Sequence, residues 1–481
     1  MNKRIIILLC SIAWMIGFAA CSKGFLEVVP QGKLIAKTGE DYNKLLNNPD
    51  LYFYNFSGSW EMQIMMGDEL SAEALNLKRG SLEVQRLFQW ADDIYMPAST
   101  FPQLLGTKVQ NLYAINKVIN EVLNATEATE QQKKALLAEA LTARAWEHLQ
   151  LINFFGKPYQ AATAATDPGF PMMTTADVTA TKFPRATVQQ VYDLIINDLT
   201  SAISDLPLKV AYKNRVSRAA ARGLLGKVYV LMGRYSEALP FLNAAMEDVN
   251  EAGNVRLYDY NKTLAPGGAF LPIDPVTGPK GPGNNFNDQT EDILTRIFTN
   301  GSFSGNELVV ISTETAALYG ASDLRRTLYT SAGTAGAGRL RKYGAHYCHS
   351  GLQLQDLYLL RAECKARLND LTGAVADVET LRRNRMPVAD APVPAAIAAN
   401  SKALVKFIID ERIREFASEG NRWYDMRRLS VDPLFAGITF QHTLYKEDGT
   451  TTTYTLNQPN RLVLRLPPAL LNANPDMQDN P

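Results

Sequence analysis

Small and apolar residues recur at fixed intervals between residues 219 and 250, and this spacing constrains the fold more than any other feature of the sequence. Small side chains allow two antiparallel helices to approach closely. The segment therefore predicts a tight helix pair. Its positions are Leu225, Gly226, Tyr229, Gly233, Tyr235, Ala238, Leu242 and Ala245.

The spacing is that of a tetratricopeptide repeat. The interval between Gly226 and Ala238 recurs between Ala362 and Ala374, which predicts a second, more degenerate pair over residues 357–385. The predicted fold class is mainly α, with tetratricopeptide-like helix pairs, long loop insertions and a few short strands, in the manner of an interrupted solenoid. Apolar periodicity predicts further helices over residues 104–123, 130–154, 187–205 and 401–417.

Two segments interrupt the helical pattern. Residues 254–288 are rich in Gly, Pro and Asn, and residues 331–338 contain three Gly and three Ala. Both are predicted to be loops, where binding residues usually lie. Within the tail, residues 453–456 and 462–464 alternate in a way that favours short strands.

The first twenty residues have the pattern of an export signal. Two basic residues precede an apolar stretch, and the segment ends in Phe-Ala-Ala before Cys21, which resembles a lipoprotein box. As an uncleaved anchor, a helix over residues 5–20 would be about 24 Å long, too short for a hydrocarbon core of about 30 Å. We therefore expect residues 1–20 to be removed and Cys21 to carry a lipid.

Charge and composition exclude some classes of protein. The chain has 49 Lys and Arg against 49 Asp and Glu, and 47 against 49 without residues 1–20, a net charge of −2. A nucleic-acid binder would need a surplus of basic residues. With 46% hydrophobic and 20% charged residues the chain is typical of a folded globular protein.

Cys348 and Cys364 could pair in an oxidising compartment, although two thiols do not make a disulfide scaffold.

The sequence contains few patterns typical of catalytic or metal-binding sites. Nucleophile-elbow, phosphate-loop and zinc-protease patterns are missing. His346, Cys348, His349 and Cys364 could hold a metal, but their spacing fits no common zinc motif, and an extended segment entering a helix is the alternative. Residues 285–292 offer oxygen ligands without the central glycine of an EF-hand, so a structural calcium ion is unsupported. We expect no cofactor and no metal.

Carboxylates and aromatic rings suggest two kinds of sugar chemistry. The pairs Asp68/Glu69 and Asp92/Asp93 could serve glycoside hydrolysis, although adjacent acids are common on solvated turns. Aromatic rings can stack on the apolar faces of sugars. We expect most of the aromatic residues in or beside predicted loops to pack in the core and two or three to line a site; they are Trp60, Trp90, Tyr95, Tyr258, Tyr260, Phe286, Tyr319 and Tyr329.

Residues 410–429 combine acids, arginines and aromatics unusually densely. On a helix, Glu411 and Glu415 lie one turn apart beside an apolar stripe. Gly420 can end that helix, and a second helical segment follows. An active site is one interpretation, but acids and arginines alternate without a nucleophile or histidine. A buried ion network that joins helices is the favoured prediction.

This run resembles the signature of the SusD/RagB family of Bacteroidetes outer-membrane lipoproteins, which read Glu-Arg, Glu-Phe, then Glu-Gly-x-Arg-Trp-x-Asp-hydrophobic-x-Arg. Two departures are Lys23-Gly24, where an acid is common, and Asp479 in place of a closing Gln. Other resembling pieces are Cys21 followed by Phe25-Leu26-Glu27 and Pro30, Gly67-Asp68-Glu69, Tyr113 with Ile115 and Asn116, Leu206-Pro207, residues 359–363, Leu466-Pro467, Asn474-Pro475 and Asn480-Pro481.

The resemblance implies a SusD-like body over residues 21–481, with an N-terminal helical part to about residue 250 and a C-terminal part from about 251. It implies a lipid anchor in the outer membrane, with the protein facing the cell exterior. Family members are not enzymes; they cap a SusC-like TonB-dependent transporter and deliver glycans or peptides to it. Binding residues lie outside the shared motifs, in loops after residue 68 and around residues 285–330. The candidates are Asp68, Arg79, Trp90, Tyr95, Phe286 and Tyr319.

The leading hypothesis is therefore a surface-exposed lipoprotein that captures an oligosaccharide and delivers it to a SusC-like transporter. A peptide-binding RagB-like lipoprotein is one alternative, and a tetratricopeptide-type scaffold without a small ligand is another. A glycosidase is a third. The identity of the ligand stays open, because a handful of aromatics suits glycans and peptides alike.

The substitution Cys21→Ala tests the anchor, because it removes the sulfur that would carry the lipid. We expect the variant to leave the membrane fraction and to lose lipid labelling. Cell fractionation with labelled fatty acid measures both. Unchanged labelling and fractionation would contradict the predicted anchor.

Overall fold

The computed structural model describes residues 36–54, 58–95, 103–177, 179, 182–282, 289–299, 308–331, 338–343 and 347–481. The predicted lipidation site Cys21 and the candidate ligand residue Phe286 lie outside these ranges. So do residues 285–288 of the candidate calcium segment and His346 of the candidate metal cluster.

Helices dominate the described chain, which confirms the mainly α fold class. In chain order they are α1 Gly39–Leu46, α2 Gly58–Met65, α3 Ala74–Leu77, α4 Leu82–Phe88, α5 Gln103–Glu121, α6 Glu130–Phe155, α7 Val188–Ala202, α8 Arg218–Leu231, α9 Tyr235–Ala252, α10 Tyr260–Thr263, α11 Thr313–Leu318, α12 Leu354–Arg367, α13 Leu371–Arg383, α14 Ala395–Ala398, α15 Ser401–Phe416, α16 Asn421–Leu429 and α17 Pro468–Ala473.

The strands are short and form small sheets. The largest described sheet has the order β11-β10-β2-β5, and others have the orders β1-β4-β8, β3-β9 and β6-β7. The strands are β1 Phe53–Tyr54, β2 Leu70–Glu73, β3 Asp292–Leu294, β4 Ile297–Thr299, β5 Val310–Ile311, β6 Tyr329–Thr330, β7 Arg341–Lys342, β8 Tyr347–His349, β9 Leu352–Gln353, β10 Gln441–Tyr445 and β11 Thr451–Thr455.

Local chemistry explains where the predicted helices begin. Helices α5, α6, α7 and α15 match the four periodic segments to within a few residues. Thr129 caps α6 and Thr187 caps α7, and in each case a glutamine three residues later, Gln132 or Gln190, bonds back to the cap. Such capping boxes satisfy backbone N–H groups that have no partner inside the helix.

The helix pair predicted over residues 219–250 is α8 and α9. A Cβ placed on Gly226 would lie 2.5 Å from Leu242 Cδ2, so only glycine permits this close approach. Gly233 turns the chain with φ +72°. The second predicted pair is α12 and α13; α9 packs on α12, and α12 packs on α15. These contacts give the stacked arrangement expected from the repeat.

The tail differs from its prediction at one point. A strand forms over Thr451–Thr455 as expected, paired with β10 in a hairpin. Residues 462–464 are not a strand: they are buried beside the end of α6, where the Leu464 N–H donates to the Phe154 carbonyl at 2.8 Å. Their apolar character reflects burial against a helix end rather than a place in a sheet.

The described residues show the outcome of two predictions, the loop after residue 254 and the pairing of the two cysteines. Residues 254–282 are irregular apart from the single turn α10, which Asp259 caps. Cys348 and Cys364 are both buried and unpaired, so the pairing left open by the sequence does not occur.

Within the described ranges, no helix is both long enough and apolar enough to cross a bilayer.

The substitution Gly226→Val should weaken the α8–α9 contact, because its side chain would collide with Leu242. We expect the free energy of unfolding in urea to fall by about 1–3 kcal/mol, the usual cost of overpacking. The control is Gly320→Ala, since a Cβ there meets no atom within 4 Å; its effect should stay within about 0.5 kcal/mol. Equal effects of the two variants would contradict close packing at Gly226.

Candidate ligand-binding surface

The largest described sheet brings the two predicted binding regions together. Strand β2, which follows Asp68, pairs with β5 from the middle region, with Leu70 opposite Ile311. The Ser312 N–H also donates to the Glu69 carbonyl at 2.8 Å. On its other side β2 pairs in parallel with β10, which places Tyr445 beside Glu73. Three distant parts of the chain therefore meet at one sheet.

A group of polar side chains lies at the end of this sheet. The Arg339 guanidinium donates to Glu73 Oε1 at 2.8 Å and lies 3.8 Å from the centre of the Tyr445 ring. The Tyr445 hydroxyl is 3.5 Å from Thr313 Oγ1. We call Glu73, Thr313, Arg339 and Tyr445 the sheet-end surface; Glu73 is its buried member, Arg339 and Tyr445 are half-buried, and Thr313 is exposed. Its guanidinium and hydroxyls can hydrogen-bond to a polar ligand, and its aromatic ring offers a flat apolar contact.

An ion pair joins the end of α3, the helix that follows Glu73, to the β10–β11 turn, which follows Tyr445. Lys78 pairs with Glu447 at 2.8 Å, and both side chains are more than half exposed. The apolar side chains of Leu75 and Leu82 are also exposed. The candidate Arg79 follows Lys78 and is exposed. Arg79 therefore lies at the protein surface, next in sequence to the Lys78–Glu447 pair.

The candidate Asp68 is tied to the carboxy-terminal signature. Its carboxylate accepts two hydrogen bonds from the Arg422 guanidinium, at 2.5 and 3.1 Å. The next residue, Glu69, is buried and accepts from the Ser418 N–H at 3.3 Å. Burial and the neighbouring Asp68 raise the pKa of Glu69 to about 8. In the other acidic pair, Asp92 lies 2.7 Å from Arg461.

Three aromatic candidates lie in the packed interior. Trp90, Tyr95 and Tyr319 are each at most 6% exposed. Trp90 Nε1 donates to the Met66 carbonyl at 3.2 Å, and the Tyr319 hydroxyl donates to the Arg414 carbonyl at 2.8 Å. These contacts give Trp90 and Tyr319 a packing role, and contact with a ligand remains a prediction for all three aromatic residues. Trp90 lies beside the turn that carries Asp68, because it bonds Met66, and Asp68 itself is only partly buried.

The signature residues form the predicted buried ion network. Arg412 on α15 bonds Asp356 at 2.7 Å and Asp425 at 2.8 Å. Arg428 on α16 bonds Asp425 at 2.8 Å and Glu363 at 2.7 Å. Since Asp356 and Glu363 belong to α12, the network joins three helices. The structural interpretation of this run is confirmed.

A second part of the network holds the middle region. Arg325 bonds Glu411 at 2.7 Å and Glu415 at 2.9 Å, and Arg385 joins Glu415 to Glu291 at 2.7 Å each. Burial raises the pKa of Glu411, but the surrounding guanidinium groups, chiefly that of Arg325, outweigh burial and lower it to about 2. Glu411 is therefore ionised, and its ion pairs join α15 to neighbouring elements.

The candidate metal and calcium residues have other partners. His349 Nδ1 lies 2.8 Å from Asp292 Oδ2, and Glu291 is bound to Arg385. Burial raises the pKa of the Cys348 thiol to about 12, which opposes the thiolate form that binds metals. Within the described ranges, no three His, Cys, Asp or Glu side chains are grouped as metal ligands.

Two cavities lie away from the sheet-end surface. One of 730 Å³ is bordered by α5, α7 and residues 171–186, and one of 500 Å³ by α1, α6 and residues 207–216. None of the described ligand candidates lines either cavity.

Sequence reasoning missed Glu73, Thr313, Arg339 and Tyr445. Each lies in or beside a strand of five residues or fewer, and the strands that carry Glu73 and Tyr445 come from opposite ends of the chain. The alternation at residues 453–456 was the available signal for β11, the hairpin partner of the strand that carries Tyr445, but it does not indicate that this strand also pairs with β2.

Comparison with known proteins identifies the family. Residues 25–230 match a SusD-like family model described as starch-binding associating with outer membrane, and residues 341–481 match the SusD/RagB model, described as SusD family. Together the two matches cover most of the chain. The chain belongs to the SusD/RagB family.

Individual relatives agree with this assignment. A SusD-like protein of Bacteroides ovatus is 26% identical over 230 residues, which cover 44% of this chain and 37% of that relative. A solved structure named as a putative sugar binding protein from Bacteroides vulgatus has a TM-score of 0.73 at 17% identity, over 93% of this chain and 99% of that one. A SusD superfamily protein from Bacteroides thetaiotaomicron has a TM-score of 0.71 at 18% identity, over 92% and 100%. At these identities the solved structures show the fold, which confirms the SusD-like architecture.

The substitution Arg428→Met tests the ion network, because it leaves Glu363 and Asp425 buried with one guanidinium fewer. We expect the free energy of unfolding to fall by about 3–5 kcal/mol, the usual cost of breaking a buried pair. Lys78→Met removes the exposed pair with Glu447 and should cost less than about 1 kcal/mol. Urea titration measures both, and a small effect at Arg428 would contradict an anchoring role.

Proposed function

We propose that this chain is a surface-exposed lipoprotein that binds an oligosaccharide and delivers it to a SusC-like TonB-dependent transporter. Membership of the SusD/RagB family supports the proposal, as does a related fold whose printed name is a putative sugar binding protein. The lipid on Cys21 would hold the protein at the outer membrane, facing the cell exterior.

The sheet-end surface is the observation that carries the proposal. Sugars bind where flat side chains adjoin hydrogen-bonding groups. The Arg339 guanidinium lies on the Tyr445 ring, and the Tyr445 hydroxyl and Thr313 Oγ1 lie at its edge. An oligosaccharide can therefore contact a flat stacked pair and exchange hydrogen bonds with several of its hydroxyls.

The charges around this surface favour an uncharged ligand. Arg339 is paired with Glu73, and Lys78 is paired with Glu447. Paired charges present little net field to a ligand, although their donors and acceptors can still be shared. A neutral oligosaccharide suits this arrangement better than a charged peptide.

We also propose that the ligand is bound without being cleaved. Glycoside hydrolysis needs two carboxyl groups that face the same bond. The carboxylate of Asp68 is held by Arg422, and that of Glu69 is buried beneath Ser418. Both acids therefore contribute to the packing of the signature helix.

The substitution Tyr445→Ala tests the binding surface, because it removes the ring on which Arg339 lies. Isothermal calorimetry would use a panel of neutral hexose oligosaccharides, N-acetylhexosamine oligosaccharides and short peptides. We expect Tyr445→Ala to weaken oligosaccharide binding at least tenfold, about 1.4 kcal/mol. The control is Tyr212→Ala, since Tyr212 is 64% exposed and borders the separate 500 Å³ cavity.

The other results of this experiment separate the alternatives. Binding of peptides alone would indicate a RagB-like peptide carrier, and no binding at all would indicate a scaffold. Cleavage products in the calorimeter cell would indicate a glycosidase. Equal affinities of wild type and Tyr445→Ala would place the oligosaccharide elsewhere on the molecule.

A further inference from the structure

The imidazole of His442 on β10 is enclosed between two aromatic rings. Its side chain is fully buried. The Phe88 ring is stacked on one side with a centroid distance of 4.4 Å and an interplanar angle of 7°, and the Trp90 ring at 3.8 Å and 14°. The aromatic faces carry partial negative charge, which stabilises a cation placed between them.

Both ring nitrogens of His442 face carbonyl oxygens. Nδ1 lies 2.6 Å from the Phe88 carbonyl oxygen, and Nε2 lies 2.6 Å from the Gly67 carbonyl oxygen. A neutral imidazole has one N–H and one lone pair, so it would satisfy one carbonyl and direct a lone pair at the other. An imidazolium donates to both. The short distances are those of charge-assisted hydrogen bonds.

His148 shows the opposite arrangement in the same protein. Its Nδ1 lies 3.0 Å from the Arg144 carbonyl oxygen, while its Nε2 accepts the Met173 N–H at 3.2 Å. One donor and one acceptor fit a neutral imidazole. Burial also lowers the pKa of His148 to about 4. The two buried histidines therefore differ in the partners that the backbone offers them.

The charged groups near His442 come from several elements. Burial is the largest influence on His442 and lowers its pKa, while the carbonyls of Gly67 and Phe88 and the Asp68 carboxylate act in the opposite direction. The case for an imidazolium therefore rests on the geometry, in which both ring nitrogens face carbonyl oxygens and neither faces a donor. Arg422 of α16 offsets part of the Asp68 charge. Glu69 is the other carboxyl of the 67–69 turn, and Tyr454 lies opposite His442 on β11.

We propose that His442 is held as an imidazolium and serves as a cationic clamp, joining the Gly67 turn to the end of α4 at Phe88. The clamp fixes two candidate residues. Asp68 directly follows Gly67, whose carbonyl accepts from His442, and the Trp90 ring lies on one face of the imidazole. It is a positioning residue for the binding region, and only this last role rests on the proposed function.

The proposal predicts the sign of a pH dependence. If the folded protein holds the proton more tightly than the unfolded chain, whose histidine pKa is about 6.5, the stability due to His442 is complete below that value. It is then lost as the pH rises through the folded-state pKa. A neutral His442 would give the opposite sign, with stability lost as the pH falls.

The experiment compares the free energies of unfolding in urea of the wild type and His442→Phe between pH 5.5 and 9. Phenylalanine keeps a ring in the stack, and Glu69 is common to both proteins. We expect the wild type to be more stable than His442→Phe at low pH. The ratio of the unfolding constants of the variant and the wild type should fall at least tenfold as the pH rises. His148→Phe is the control. The difference in free energy of unfolding between the wild type and this variant should grow as the pH rises. A His442 difference that grows with pH would overturn the proposal.

A spectroscopic measurement on the wild type tests the same proposal without the variant. It can therefore be used if His442→Phe does not fold. The chain has four histidines, so labelling with ¹⁵N-histidine gives few ring signals, which single substitutions at the other three positions assign. At pH 7 both ring nitrogens of His442 should show one-bond coupling to a proton, and one nitrogen of His148 should not. An unprotonated nitrogen in His442 would overturn the clamp. Neither measurement uses a ligand, so failed oligosaccharide binding leaves this test intact.

Discussion

The buried ion network of the carboxy-terminal signature is the constraint on which the rest of the structure depends. Glu363 and Glu411 are fully buried, and a buried carboxylate without a partner costs several kcal/mol. Both are bound by more than one arginine. Since those arginines lie on different elements, the buried charges are paired only when these elements are docked together.

The network also determines where the candidate binding region lies. Arg422 belongs to the signature helix α16 and holds Asp68, which directly precedes Glu69 and β2. Strand β2 pairs with β5 on one side and with β10 on the other. The sheet-end surface and the enclosed His442 are therefore placed by contacts that begin in the core, although the surface itself is composed of residues from distant parts of the chain.

Sequence predictions succeeded where one local pattern suffices. Gly226 requires a close helix neighbour wherever the pair lies, and Thr129 begins α6 by bonding to its own first turn. The sequence predictions were incomplete where the role of a residue depends on whether it is buried. Trp90 follows a short helix and could equally have been exposed, but its ring lies on His442 in the core.

The sequence by itself determined the helical class, the helix pairs, the ionic role of residues 410–429 and the resemblance to the family, because each can be recognised from spacing within short segments. The tertiary structure decided which distant acids and arginines complete the ion network. Only the tertiary structure decided that Tyr445 lies beside Glu73 and that His442 faces two carbonyl oxygens. Those contacts join short strands and turns far apart in the chain. Their pairing is set by the packing of the whole core, which no local pattern records.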